Sequence, residues 1–121
     1  KAYDTRSGVD PMFPDELLND PELLTIADKG QEFGVTTGRR RKVNWLNLDL
    51  LIKATNISGA TDIIVNKVDI LIGTGTYKLF HDGVLKSFEN YKSFRQYIAC
   101  FLKTSDNHVN EIIFSKHPEI I

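Results

Sequence analysis

Apolar positions along this chain fall into short blocks whose repeat changes from one block to the next. Lys1 to Arg6 reads as a short strand ended by Gly8. Asp10-Pro11 and Phe13-Pro14 then impose an irregular stretch, because each proline lacks a backbone donor and biases its predecessor away from helix. Short helical pieces are expected at Asp15 to Leu18 and Asp20 to Ala27, followed by a loop from Gly30 to Lys42 rich in glycine and arginine. Trp45, Leu48, Leu51, Ile52 and Thr55 recur at three- and four-residue spacings, predicting a helix over 45–58 stopped by Gly59. Thr61 to Val65, rich in β-branched residues, predicts a buried strand that runs out into Asn66-Lys67-Val68-Asp69. Thr76 to Phe80 and Val84 to Ser87 flank Asp82-Gly83, a hairpin signal. Phe88, Tyr91, Phe94 or Arg95, Ile98, Phe101 and Leu102 mark a second amphipathic helix, and Glu111 to Phe114 a last strand. Strands alternating with helices around a hairpin give an α/β class.

Composition narrows the setting. The 121 residues are 41% hydrophobic and 26% charged, with a net charge of -1, as expected for one soluble domain or a piece of a larger one. No apolar run approaches the roughly 20 residues that span a bilayer, so no membrane partner is expected. The start on Lys1, already strand-like, suggests a fragment or processed product, and so short a chain leaves the apolar faces of both helices in need of partners. The single cysteine, Cys100, is read as a reduced core residue on the apolar face of the second helix, which suits a cytoplasmic location. His81, His108 and His117 are placed in turns without a Cys or His at ligand spacing, so no metal ligands are assigned.

Two constellations carry chemistry. Thr36-Thr37-Gly38-Arg39-Arg40-Arg41-Lys42 puts four cations after a glycine, and arginine's planar donor fork matches carboxylate and phosphate oxygens. The residues alone leave open a solvated basic loop. A nucleic-acid contact is disfavoured, since the net charge is slightly negative and no basic surface extends beyond the loop. In the second, Asn66-Lys67-Val68-Asp69, a carboxylate at the carboxyl end of a strand can accept from both N1–H and the exocyclic amine of guanine. An ordinary strand-exit turn is the alternative. There is no phosphate loop of the G-x-x-x-x-G-K-[ST] type and no nucleophile with a base, so no catalytic residue is assigned.

The order of these blocks resembles the adenylosuccinate synthetase family. Gln31 to Arg41 follows its E-F-G-x-T-T-G-R-x-R signature. Lys1 to Gly8, with Phe13-Pro14 and Glu16-Leu17, resembles K-x-Y-x-T-R-V-G-x-G-P-F-P-T-E-L. Asn66 to Asp69 sits at the guanine-reading x-K-x-D, and Ser115-Lys116-His117-Pro118 at the S-T-G-P loop. The resemblance implies the C-terminal part of that fold, a mostly parallel sheet with flanking helices and a hairpin. It implies an aspartate loop at 31–42, a guanine segment at 66–69 and a base-closing loop at 115–118. Val35, Thr36, Thr37, Gly38, Arg39, Arg40 and Arg41 would hold aspartate. Arg39 and Ser7 would lie at the purine nucleotide. Arg41, Lys67, Val68, Asp69, Ser115, Lys116 and His117 would contact GTP.

In that family GTP phosphorylates the 6-oxygen of IMP, and the aspartate amine then displaces the phosphate. The phosphate loop, catalytic residues and magnesium ligands belong to an N-terminal region absent here, so the segment alone is expected to be inactive. The full-length enzyme is expected to be a homodimer. Three departures leave alternatives open: Ser7 replaces valine, Asp10-Pro11-Met12 inserts an acidic residue, and Lys116-His117 replaces small residues against the base. With the short segment after Asp69, these fit compact archaeal and phage relatives, some of which take dGMP and another energy donor. A non-catalytic nucleotide-binding module is the remaining alternative.

Overall fold

The structure, a computed structural model, describes residues 1–6, 11–32, 41–105 and 109–115. Strand β1 (Tyr3–Arg6) is followed by a 3-10 turn (Asp15–Asn19) and helix α1 (Pro21–Lys29). Strand β2 (Lys42–Asn47) runs directly into α2 (Leu48–Ser58), then β3 (Asp62–Val65) and α3 (Val68–Thr74). The hairpin β4 (Tyr77–His81) and β5 (Val84–Phe88), helix α4 (Tyr91–Ser105) and strand β6 (Glu111–Phe114) complete the order. The expected α/β class holds. The pairings are mixed rather than mostly parallel: β1–β2 and β4–β5 are antiparallel, β2–β4 and β3–β6 parallel.

Local chemistry explains most boundaries. Asp20 caps α1 by accepting from the Glu22 and Leu23 amides, with Pro21 at the first helical position. Gly59 ends α2 in the left-handed conformation. Asp82 and Gly83 both take positive φ, the two-residue turn that suits strand twist.

Four local expectations are corrected. Residues 45–47 are strand, not helix: Val43 and Trp45 alternate inward, Trp45 pairs with Tyr3, and Asn47 caps α2 through the Leu50 amide. Phe88 belongs to β5, opposite Tyr77. Helix α3 follows Lys67 although Ile70, Ile72 and Gly73 are weak helix formers; Val68 and Leu71, both fully buried one turn apart, hold it by packing. Cys100 is exposed, because α4 buries Phe94, Ile98 and Leu102, and a residue two positions from each of the last two faces away.

One core joins these elements. Helix α1 packs on β2 and α3, while α2 and α4 pack on β4. Leu23, Ile26, Leu48, Val68, Leu71, Leu79, Phe94 and Ile98 lie inside it. The apolar face of α4 is thus covered within the chain. On α2, Leu50 and Ile57 are exposed, as are the paired Ile64 and Ile113 of β3 and β6. Among the described residues no helix is long and apolar enough to cross a membrane.

Candidate functional site

The site is built where β3 and β6 end side by side. Their parallel register brings Val65 opposite Phe114, and the ladder continues past both strands. The Ser115 amide donates to the Val65 carbonyl at 2.9 Å, and the Val68 amide donates back to the Ser115 carbonyl at 3.4 Å. Asn66 is fixed from the other side, its carbonyl accepting from the Ala2 amide at 2.9 Å. The turn 66–69 is therefore held from two distant parts of the chain, the N-terminus at Ala2 and the end of β6 at Ser115.

Within it, Lys67 adopts φ 62° and ψ 20°. A non-glycine residue in the left-handed region costs on the order of 1 kcal/mol and persists only where its surroundings impose it. The conformation lets the chain reverse from β3 into α3 within one residue, placing Asp69 in the first helical turn. Two acceptors are left over: Asn66 Oδ1 and Asp69 Oδ1 are buried without a hydrogen-bond partner among the described residues. A buried acceptor left unpaired costs about 1–3 kcal/mol, which makes this turn the candidate site among the described residues.

Beside this turn the structure forms the neck of the arginine-rich loop. Glu32, only 3% exposed, accepts from Tyr3 Oη at 2.6 Å through Oε2, and from Lys1 Nζ at 3.2 Å and Arg41 Nη1 at 3.3 Å through Oε1. Its carbonyl accepts from the Arg41 amide at 2.8 Å, so both ends of 33–40 meet at one residue pair. Burial pushes the Glu32 carboxyl upward, but the hydrogen bonds from Tyr3 and Lys1 and the charges of Lys1 and Lys67 outweigh it and hold it below its ordinary value. The Tyr3 hydroxyl is pushed far up, first by burial, then by its bond to Glu32 and the charges of Glu32 and Asp69. A Cβ at Gly30 would collide with that hydroxyl, so the close approach requires glycine there. Lys67 acts electrostatically on Glu32, and Asp69 on Tyr3. The two segments singled out in the sequence thus lie close enough for their charges to act on one another.

Among the residues expected to bind ligands, Lys67, Val68, Asp69 and Ser115 come together at this turn, with Val68 and Ser115 buried. Arg41 lies at the loop neck, its guanidinium on Glu32. Ser7, Val35, Thr36, Thr37, Gly38, Arg39, Arg40, Lys116 and His117 lie outside the described residues. Two residues were missed: Glu32, visible in the sequence only as part of E-F-G, and Asn66, treated as a turn residue. A groove of about 350 Å³ runs along β1, where Asp4, Arg6 and Asn47 supply polar atoms. Asp4 accepts the Asn47 amide there at 3.2 Å.

The family model for adenylosuccinate synthetase matches residues 1–99. The chain belongs to the adenylosuccinate synthetase family. Its similarity to the Clostridium botulinum adenylosuccinate synthetase is 49% identity over 79 residues, 65% of this chain and 18% of that one. The Syntrophomonas wolfei enzyme is 47% identical over 79 residues. The Deinococcus deserti enzyme is 46% identical over 77 residues, 60% of this chain and 19% of that one. The chain therefore spans less than a fifth of the length of these adenylosuccinate synthetases. A structure of fully ligated adenylosuccinate synthetase from Plasmodium falciparum superposes with a TM-score of 0.67 at 19% identity, covering 97% of this chain and 36% of that one. That likeness shows the shared fold. The family match ends inside α4, before β6 and Ser115, the region where Lys116-His117 depart from the S-T-G-P pattern.

Proposed function

We propose that this chain is the part of an adenylosuccinate synthetase that reads the guanine base of GTP and holds the aspartate loop, for the GTP-dependent joining of aspartate to IMP. The observation that carries it is Asp69 Oδ1, buried without a hydrogen-bond partner among the described residues in the first turn of α3, just past the carboxyl end of β3. A carboxylate there accepts from guanine N1–H and the 2-amino group, and Asn66 Oδ1 stands in the same turn as a further acceptor. The Lys67 stem lies against the base. Adenine presents an acceptor at N1 and no 2-amino group, so it would leave the carboxylate unpaired and facing a lone pair.

In this reading Glu32 closes the mouth of the loop whose Thr36 to Arg41 take the aspartate carboxylates. Arginine forks supply the charge match. In this reading the magnesium ligands belong to the N-terminal part of the family's enzyme, and no residue of this chain is assigned to the ion. The test is calorimetry of the chain with GTP, ITP and ATP. The expected order is GTP above ITP, which lacks the 2-amino group, with ATP weakest. Equal affinity for GTP and ATP would overturn the base assignment. The chain mixed with IMP, aspartate, GTP and magnesium is expected to form no product.

A further inference from the structure

The tip of the β4–β5 hairpin carries a cluster that the function above does not use. His81, expected in a turn, is the last residue of β4 and only 5% exposed. Its Nδ1 lies 2.6 Å from Tyr97 Oη, and its ring meets the edges of Tyr97 and Phe101, the latter at 4.3 Å between centroids. These contacts from α4 fix the imidazole plane. They leave Nε2 facing two carboxylates, 3.8 Å from Asp49 Oδ1 and 3.7 Å from Asp82 Oδ1. Both separations are too long for hydrogen bonds. A buried imidazole nitrogen thus faces a pair of carboxylate oxygens.

Asp49 is itself held in place. Its Oδ1 accepts from the Asp82 amide at 3.0 Å and its Oδ2 from the Gly83 amide at 3.2 Å. The first turn of α2 and the hairpin tip are joined through this one carboxylate, and each oxygen keeps a second lone pair. One ligand atom from each of Asp49, His81 and Asp82 lies within 4.8 Å of the others.

We propose that Asp49, His81 and Asp82 bind a divalent first-row transition cation of the zinc class. One imidazole nitrogen with two carboxylate oxygens suits zinc, cobalt or manganese better than the all-oxygen shells of calcium or magnesium. In the tautomer protonated at Nδ1, Tyr97 Oη accepts from Nδ1–H at 2.6 Å, orients the ring and leaves the Nε2 lone pair for the metal. Bonds of about 2.0–2.2 Å at tetrahedral angles set ligand atoms about 3.4 Å apart. The site must therefore contract slightly, and Asp82, whose side chain is 82% exposed, is free to rotate inward. Three protein ligands leave a fourth position to water. The bound ion would fasten the hairpin to the start of α2.

The experiment titrates Co²⁺, then Zn²⁺, into the chain in a Cys100→Ser background, which removes the exposed thiol as a competing ligand. Saturable binding of one ion, with Kd on the order of 10 µM, a cobalt ligand-field spectrum and a shift of the His81 ring signals, is the expected result. Asp82→Asn is the decisive variant. It leaves an Asn-Gly turn, the sequence preferred where both central residues take positive φ, so folding is retained while an anionic ligand is lost. It should weaken binding at least tenfold and abolish the zinc-dependent rise in Tm. No saturable binding up to about 1 mM cation, or unchanged affinity in Asp82→Asn, would overturn the proposal and leave a plain histidine–carboxylate ion pair.

Discussion

Two carboxylates, Glu32 buried and Asp69 half-buried with one buried oxygen, behave in opposite fashion. Glu32 has its oxygens engaged by Tyr3, Lys1 and Arg41, whereas Asp69 keeps an oxygen that no described residue reaches. They feel each other's neighbours through Lys67 and Tyr3. The saturated carboxylate is architecture: removing it strands its partners. The other keeps a buried oxygen without a partner among the described residues, and a ligand donor placed there would gain a hydrogen bond. Unpaired donors and acceptors, more than charge, separate the residue proposed to bind from the structural one here.

The largest expected effect breaks the saturated side. Glu32→Ala leaves the buried Tyr3 hydroxyl without its acceptor and releases Arg41, and should cost about 2–4 kcal/mol in urea denaturation. A loss below about 0.5 kcal/mol would show that the neck is not held by this residue. On the unsaturated side the balance reverses. Asp69→Asn should reduce GTP affinity by about 10- to 100-fold, because one acceptor becomes a donor facing guanine's own donors, equivalent to about 1.4–2.7 kcal/mol. Stability should be unchanged or slightly higher, since no bond to Asp69 Oδ1 is lost. The same variant should gain affinity for xanthosine triphosphate, whose 2-oxo group accepts where guanine donates.

A smaller effect separates strain from recognition. Lys67→Gly removes the penalty of φ 62° and should stabilise the chain by about 1 kcal/mol or less while weakening GTP binding. Parallel loss of both would place Lys67 in the structure rather than the ligand contact. The gentlest probe is pH. The Glu32 carboxyl lies below its ordinary 4.5 in the folded chain, so its contribution is fully present above that value and fades as pH falls through the folded value. Denaturation of the parent chain and Glu32→Gln over this acid range should converge as pH falls. A constant gap would contradict the assignment.

Local chemistry made much of the architecture readable in advance. Asp82-Gly83 announced a two-residue hairpin, Gly59 a helix stop, and the spacing from Tyr91 to Leu102 a helix. Each depends on backbone conformation or on periodicity that neighbours along the chain determine. Trp45 misled because its spacing to Leu48, Leu51 and Ile52 fits a helix. The competing signal was the alternation of Val43 and Trp45 followed by a capping asparagine at 47. Helix α3 was not visible, since only burial of Val68 and Leu71 against the core overrides its weak propensity. Cys100 shows that a two-residue offset on a helix reverses a side chain's surroundings.

By itself, the sequence determined the chain's family and its α/β class and singled out the segment 66–69 that the proposed function assigns to the base, because these reside in contiguous motifs. Only the tertiary structure decided which carboxylate is saturated and which is open, and that His81 leaves its turn to face Asp49 and Asp82. Glu32 meets Tyr3 across 29 residues, and His81 meets Asp49 across 32 positions. No spacing rule reaches over such distances; the sheet register and the packing of α2 and α4 on β4 bring these groups together.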